Sequence, residues 1–305
     1  MLFFLLLPFK VQADPDQEPR QPALVDRAHQ EISDRLDAPS RWFDNFFSDP
    51  RSDEEAAGTQ LRLRGSTTFV ERDGVHFNGD IKVRLRLPNV KRRLHLILSS
   101  EDEDVRKETL KDARVNRELA DQKTDTSLAL RYTQERSSTL SLTHHVGADL
   151  EDGFNPRLRS RVRYTVPVAE QSLLSLTQAV FWEKKTGFGE ESRIDFDLPL
   201  KENMLLRTSG QGLYSETSQG YEWLTMLQLL TSFSQNRALA IGTFTVGETD
   251  PKKRAVEYDI FIKYRQRIFR QWLFIELKPE IYWHRNQDFR ATSLFTLNLE
   301  IQFGE

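Results

Sequence analysis

From Thr59 to the C-terminus the chain sets apolar residues against polar, small or charged ones in alternation. A period of two sends successive side chains to opposite faces of an extended strand, so the pattern predicts β-strands that are apolar on one face only. Leu61, Leu63 and Phe69 alternate with Arg62 and Arg64, and Ile81, Val83, Leu85 and Leu87 with Lys82, Arg84 and Arg86. Leu158, Val162, Tyr164 and Val166 alternate with Arg159, Arg161 and Arg163. Between these groups lie strands marked by Leu94, Leu96 and Leu98, by Leu128, Leu130 and Tyr132, and by Leu140 and Leu142. Further strands are predicted within residues 173–183, 192–199, 204–215, 220–231, 238–247, 256–265, 273–284 and 293–303. The total is about fourteen, with twelve the alternative.

The connections alternate as well. Every second one is short, as in "PNVKRR", "TQERSS" and "SQNR", and the longest, "EDEDVRKETLKDARVNRELADQKTD", falls in the other set with "GADLEDGFNP" and "EKKTGFGEES". Short turns at one end and longer loops at the other describe a closed antiparallel barrel in a bacterial outer membrane. Residues 59–305 shared among the strands leave about 18 each, enough for a tilted crossing of about 10 residues and a connection. Tyr132, Tyr164, Tyr264, Trp272 and Phe303 fall at the ends with short turns, and Phe69, Trp182, Tyr214, Tyr221, Tyr258 and Trp283 at the others. Two aromatic belts suit the two interfaces of a membrane. The competing architecture is a soluble periplasmic β-sandwich, whose apolar faces turn inward. It has no reason for loops of alternating length or for belts at both ends, and closure removes the strand edges that lipid cannot hydrogen-bond.

Ahead of the strands, residues 1–13 carry an apolar run and then Val11, Gln12 and Ala13, as a secretory signal with its cleavage site would. Residues 14–58 are predicted to form an amphipathic helical segment and an acidic linker. Leu24, Ile32 and Leu36 share one face, Pro39 breaks the helix, and Ser40 caps a second short one. There Trp42, Phe43, Phe46 and Phe47, at i, i+1, i+4 and i+5, form an aromatic stripe. Such a stripe docks on the membrane interface, on the barrel mouth or inside it as a plug, or packs on whatever follows.

Composition narrows the field. The 305 residues hold 43 basic and 46 acidic side chains, a net charge of −3, and this balance gives no footprint for nucleic acid. No cysteine is present, which excludes disulfides, thiolate metal sites and cysteine nucleophiles. A mean hydropathy of −0.58 excludes a helical membrane bundle but leaves a barrel open, because a barrel needs apolar residues at alternate positions only.

The C-terminal stretch "SLFTLNLEIQFGE" places Phe295, Leu297, Leu299, Ile301 and Phe303 at alternate positions. It resembles the closing strand of the Gram-negative outer-membrane β-barrel class, which the barrel assembly machinery recognises. In that class the aromatic is usually the last residue, whereas Gly304 and Glu305 follow Phe303 here. The segment near "RWFDNFF", the "RLRLP" strand and "WLFIELKPEIYW" are also similar to a family of uncharacterised proteobacterial exported barrels. The resemblance implies fold and an outer-membrane location, with membrane lipid, lipopolysaccharide and the assembly machinery as partners, and no chemistry. Oligomeric state is left open.

In such a barrel the polar parity faces the lumen. Arg62, Arg64, Lys82, Arg84, Arg86, Arg159, Arg161 and Arg163 would line it with base, and Asp195, Asp197, Asp259, Glu276, Glu280 and Glu300 with acid. A cationic wall opposite an anionic one would pass small charged solutes, anions above all. Charges that pair across a narrow lumen would instead close it. Enzymatic signals are weak. The His-x-Ser order of outer-membrane phospholipases is absent, and His144 and His145, being adjacent, point to opposite faces of a strand, where they are expected to decorate the rim. The acidic stretches at 99–105 and 149–156 lack EF-hand spacing, and "GFGE" at 187–190 precedes no helix that would hold phosphate. No cofactor, metal or catalytic residue is expected.

Overall fold

The computed structural model describes residues 38–48, 59–86, 94–99, 127–137, 139–150, 154–168, 172–218 and 220–304. The expected signal, the helix ahead of Pro39 and most of the acidic stretch at 99–105 fall outside them. The strands are β1 (Gln60–Val70), β2 (Gly74–Arg86), β3 (Leu94–Ser99), β4 (Ser127–Arg136), β5 (Leu140–Asp149), β6 (Asn155–Val168), β7 (Ser172–Glu183), β8 (Gly187–Lys201), β9 (Met204–Ser215), β10 (Tyr221–Ser234), β11 (Arg237–Glu248), β12 (Arg254–Arg267), β13 (Leu273–His284) and β14 (Ala291–Gly304). Each pairs with its neighbours in chain order, and β14 returns to β1, so the sheet closes as a fourteen-stranded barrel. The closing pair is antiparallel, from Gln60 opposite Gly304 to Val70 opposite Leu294. The start of β1 and the end of β14 therefore meet at one mouth, called here the termini end.

The alternation sorts into two surfaces. Outward positions expose apolar side chains to about half their area, including Ile260 (52%), Leu158 (50%) and Leu299 (48%). Inward positions are mostly buried, and the larger share of the buried ones is polar or charged. An inverted distribution of this kind suits a barrel whose outside meets hydrocarbon. Placing a charge on that band should therefore be costly. Ile260→Arg is expected to lower the unfolding free energy in lipid by about 2–4 kcal/mol, measured by urea titration of liposome-folded protein; an unchanged midpoint would mean that water or protein covers Ile260.

Strands run further than the pattern suggested at the end away from the termini. β2 starts at Gly74 and β8 at Gly187, so residues 71–73 and 184–186 are all that remains of two expected loops. Gly74 (φ 102) and Gly187 (φ 74) take left-handed conformations that tight hairpins require. Loop length thus alternates less regularly than the sequence implied. Within β13, Pro279 lacks an N–H, and the β12 ladder is interrupted there, between the pairs Phe261–Glu280 and Tyr264–Leu277.

A short helix, α1, occupies residues 38–46. Pro39 lies within its described part, and the segment that Pro39 was expected to break off lies outside the described residues. Ser40 accordingly lies within the helix and is not its cap. The helix ends at Phe46, and Ser48 in the turn after it takes a left-handed conformation (φ 53).

Candidate functional site

One inner wall is basic. On β1 and β2, Arg62, Lys82 and Arg84 are buried inward, with Arg62 opposite Lys82, and Arg64 lies further along the same face. Arg157, Arg159 and Arg161 are buried on β6, with Arg163 on the same parity. Sequence reasoning missed the residues between them. His95 on β3, Arg131 on β4 and His145 on β5 point inward, and register sets them in one row: Arg86 opposite His95, His95 opposite Arg131, Arg131 opposite His145, and His145 opposite Arg159. The Arg86 side chain lies outside the described residues. Each of these strands carries few inward charges, so no run of base marked them, and only pairing assembles the row.

The acids do not form a separate opposing wall. On β8, Glu191 pairs with Arg159, Asp195 with Arg193 at 2.9 Å, and Asp197 with Arg207 at 2.5 Å. Across the barrel Glu300 accepts from Arg64 Nε at 2.9 Å and from Arg265 Nη2 at 2.6 Å, and Glu276 accepts from Asn298 at 2.9 Å. Glu280 pairs with Lys278 at 2.9 Å, beside buried Asp259 and Glu257. Cations missed by sequence reasoning, Arg193, Arg207 and Arg265, explain the difference: each sits within bonding reach of an acid expected to stand alone. The acids lie on the inward parity among these cations and form no field between two walls.

A third sector is apolar, against the expectation that the lumen parity is polar throughout. Leu224 and Leu230 of β10 and Ala238, Ala240, Phe244 and Val246 of β11 are buried inward. Gly242 between them has no room for a Cβ, which would lie 2.6 Å from the Phe261 ring facing it across the strands. β10 reads "YEWLTMLQLLTSFS", apolar on both parities, which concealed which side was which.

Helix α1 covers this sector. Phe43, Phe46 and Phe47 belong to one buried cluster with Leu205, Leu224, Leu230, Ala238, Phe244 and Phe274, and Trp42 packs on its edge. Phe46 meets Phe274 edge to face at 6.0 Å. Asp44 pairs with Arg207 of β9 at 2.5 Å. Just past the helix Ser48 donates to Glu300 of β14 at 2.8 Å, accepts from Arg265 of β12 at 3.0 Å, and offers its carbonyl to Arg62 of β1. A helix described over residues 38–46, with the turn that follows it, touches inward side chains of β1, β9, β12 and β14 together only from inside the barrel. It lies near the termini end, where Gln302 also reaches Ser48 at 2.7 Å.

The outside is greasy all round, from Leu85 and Leu98 through Val146 and Ile194 to Ile281 and Phe295. Phe295, Leu299 and Phe303 are exposed, and Leu297 and Ile301 half-buried, on the outward face of β14. Rings pair along both rims: Trp272 with Phe303 (5.4 Å) at the termini end, Tyr214 with Tyr221 (5.5 Å) and Tyr258 with Phe289 (5.8 Å) at the other. Closure satisfies every strand edge, which is the condition for crossing hydrocarbon with strands. The protein folds as a closed β-barrel of the outer-membrane type. No family model and no curated protein matches the chain. Solved structures similar to it include OmpT of Vibrio cholerae in a loop L8 deletion mutant, 9% identical, covering 81% of this chain and 100% of that one with a TM-score of 0.48. The outer membrane channel DcaP of Acinetobacter baumannii is 10% identical over 81% of this barrel chain and 97% of its own, with a TM-score of 0.45. OccK11 (OpdR) of Pseudomonas aeruginosa is 12% identical over 81% and 96%, with a TM-score of 0.46. At such scores neither solute nor mechanism passes from those proteins to this barrel.

His145 and His144 separate as expected, one inward and one outward. The expected place at the rim is not found: His144 lies in the middle of β5, and its ring is engaged on the outer face by Ser160 Oγ (2.9 Å) and Gln134 Oε1 (3.1 Å). Of the acidic stretch at 149–156, Asp149 is held by Arg157 at 3.1 Å and by Asn155. Among the described residues no group of acids and histidines is arranged to hold a metal.

Proposed function

We propose that the barrel is a channel for small charged solutes, anions above all, with helix α1 narrowing its termini end. The observation that supports it is the row of His95, Arg131, His145 and Arg159 across four consecutive strands, flanked by Lys82, Arg84 and Arg161. Basic side chains gathered on one side of a lumen lower the barrier for an anion along that side. The apolar sector and α1 occupy the opposite side, so the remaining path runs past Arg41 and Asn45, the polar edge of the helix. No enzymatic step belongs to this reading. Membrane lipid and lipopolysaccharide would cover the outer band, and β14 from Phe295 to Phe303 would be the strand that the assembly machinery reads.

Planar-bilayer recording tests the proposal. Wild type is expected to give discrete openings with anion selectivity, and Arg84→Gln with Arg161→Gln to lower the anion-to-cation permeability ratio several-fold while the protein still migrates as a folded barrel. Silent bilayers with folded protein would favour a second reading, a closed barrel that holds a partner. That reading has its own support in the ion pairs Arg159–Glu191, Arg193–Asp195 and Arg207–Asp197, which fill one side of the lumen.

A further inference from the structure

The outer face of β4, β5 and β6 carries a hydrogen-bonded chain of three polar side chains where lipid-facing residues are otherwise apolar. Ser160 Oγ lies 2.9 Å from His144 Nδ1, and His144 Nε2 lies 3.1 Å from Gln134 Oε1. Around them Leu130, Val146, Leu158 and Val162 are exposed toward lipid. An amide oxygen can only accept, so Nε2 holds the ring proton and Nδ1 faces the serine hydroxyl with its lone pair. This is the arrangement of a nucleophile, a general base and a group that orients the base, recognised by geometry and not by order in the chain.

Local structure holds the imidazole in place. His144 is directly opposite Ser160 on one side and Tyr132 on the other. The Tyr132 ring stacks on it, with centroids 6.4 Å apart and planes at 17°. Gln134 is the extra residue of a β-bulge, where the β4–β5 register slips between Thr133 and Glu135. Bulges re-aim a side chain, and here the bulged residue is the one that meets the ring. On the far side of Ser160, Gln178 of β7 stands opposite Val162 on the same face, and its Oε1 accepts from Ser192 at 2.6 Å. That bond leaves the amide N–H groups of Gln178 as donors for a developing oxyanion.

From this geometry we infer a second activity, hydrolysis of the carboxylic ester of a membrane acyl lipid on the outer wall of the barrel, with Ser160 as nucleophile and His144 as general base. The surroundings suit that substrate. Tyr132 is exposed directly beside the cluster, and Tyr164 is exposed on the same outer face nearer the termini end, so ring hydroxyls stand ready to hold the polar part of a lipid lying against β5 and β6. Acyl chains would lie along Leu158 and Val162. Ser160 Oγ attacks the ester carbonyl carbon as its proton passes to Nδ1 of His144. The carbon–oxygen bond to the glycerol breaks, and the departing oxygen takes that proton. Water then attacks the acyl-serine, gives one proton to Nδ1 and releases a fatty acid, and the proton returns to Ser160. Gln134 is a positioning residue.

The inference does not rest on the channel reading, because the cluster faces away from the lumen. The test uses the full chain folded into phosphatidylethanolamine and phosphatidylglycerol vesicles, with two readouts: fatty acid release, and labelling by a fluorophosphonate located by peptide mass spectrometry. Label on Ser160 and steady fatty acid release are expected. Both should vanish in Ser160→Ala, and release should fall about 10²- to 10⁴-fold in His144→Asn, with heat-modifiable migration and conductance unchanged. Gln134→Ala should move the acidic limb of the pH–rate profile, which a merely structural role would leave in place, and Gln134→Asn should restore part of it. Folded wild type that neither takes the label nor releases fatty acid overturns the inference, as does activity that survives in Ser160→Ala. A shift in oligomer size in Ser160→Ala without any label would assign the cluster to contact between copies and equally overturn it.

Discussion

Removal of residues 38–48 is expected to raise single-channel conductance at least about two-fold, because a helix with side chains about 10 Å across then leaves the mouth. Phe43, Phe46 and Phe47 seat it on the apolar sector of β9–β11 and β13, at about 1.5–3 kcal/mol of transfer free energy for each ring. The Asp44–Arg207 and Ser48–Glu300 bonds fix its C-terminal end. A point substitution should give the same direction without a deletion. Asp44→Lys puts a cation against Arg207, which is 1% exposed, and is expected to drive the helix out and increase both conductance and its fluctuation. Asp44→Asn should move conductance less than Asp44→Lys, since it takes one partner from Arg207 without adding a cation, and Asp197 still holds the guanidinium at 2.5 Å. Equal conductance in wild type, deletion and Asp44→Lys would show that α1 does not limit flow.

The same helix marks the boundary of what could be read in advance. Strand β6, "NPRLRSRVRYTVPV", alternates so strictly that its inward and outward faces, and the membrane setting they imply, follow from the pattern alone. β10 does not, because its inner face packs against α1 and its outer face against lipid, and two apolar environments leave no alternation to detect. The aromatic stripe of Trp42 to Phe47 was visible as a stripe, yet its partners lie far along the chain: Phe46 on Phe274, Asp44 on Arg207, Ser48 on Glu300. Pairings at that separation depend on closure of the barrel, not on local spacing. The basic row through His95, Arg131 and His145 was hidden for a related reason, since one inward charge on each strand becomes a surface only when register is known. Ser160 and His144 face each other across a hairpin with sixteen positions between their numbers, so a motif defined along one strand passes over them.

Glu300 offers a measurement that bears on both stability and function. Its carboxylate accepts from Arg64 Nε (2.9 Å), Arg265 Nη2 (2.6 Å), Ser48 Oγ (2.8 Å) and Gln302 Nε2 (2.5 Å), and the residue is 1% exposed. Arg265, itself fully buried with its guanidinium 4.5 Å from the centre of the Phe274 ring, would keep only Glu276 at 3.4 Å as an ion-pair partner after Glu300→Leu. Removing one member of a buried pair costs about 3–5 kcal/mol, most of it from the charge left behind. Urea unfolding of Glu300→Leu in lipid should show a loss of that size. Glu300→Leu with Arg265→Met should lose less than the single change, because the fully buried Arg265 cation goes with its partner, Arg64 at 23% exposed can turn to water, and two apolar side chains extend the cluster around Phe274. The size of the single loss also reports on the lumen: water reaching the pair would screen it, and the cost would shrink to about 0–1 kcal/mol. A large loss in Glu300→Leu together with open channels would therefore separate two regions of the barrel, a dry seam where α1 meets β12, β14 and β1, and a wet path along the basic row.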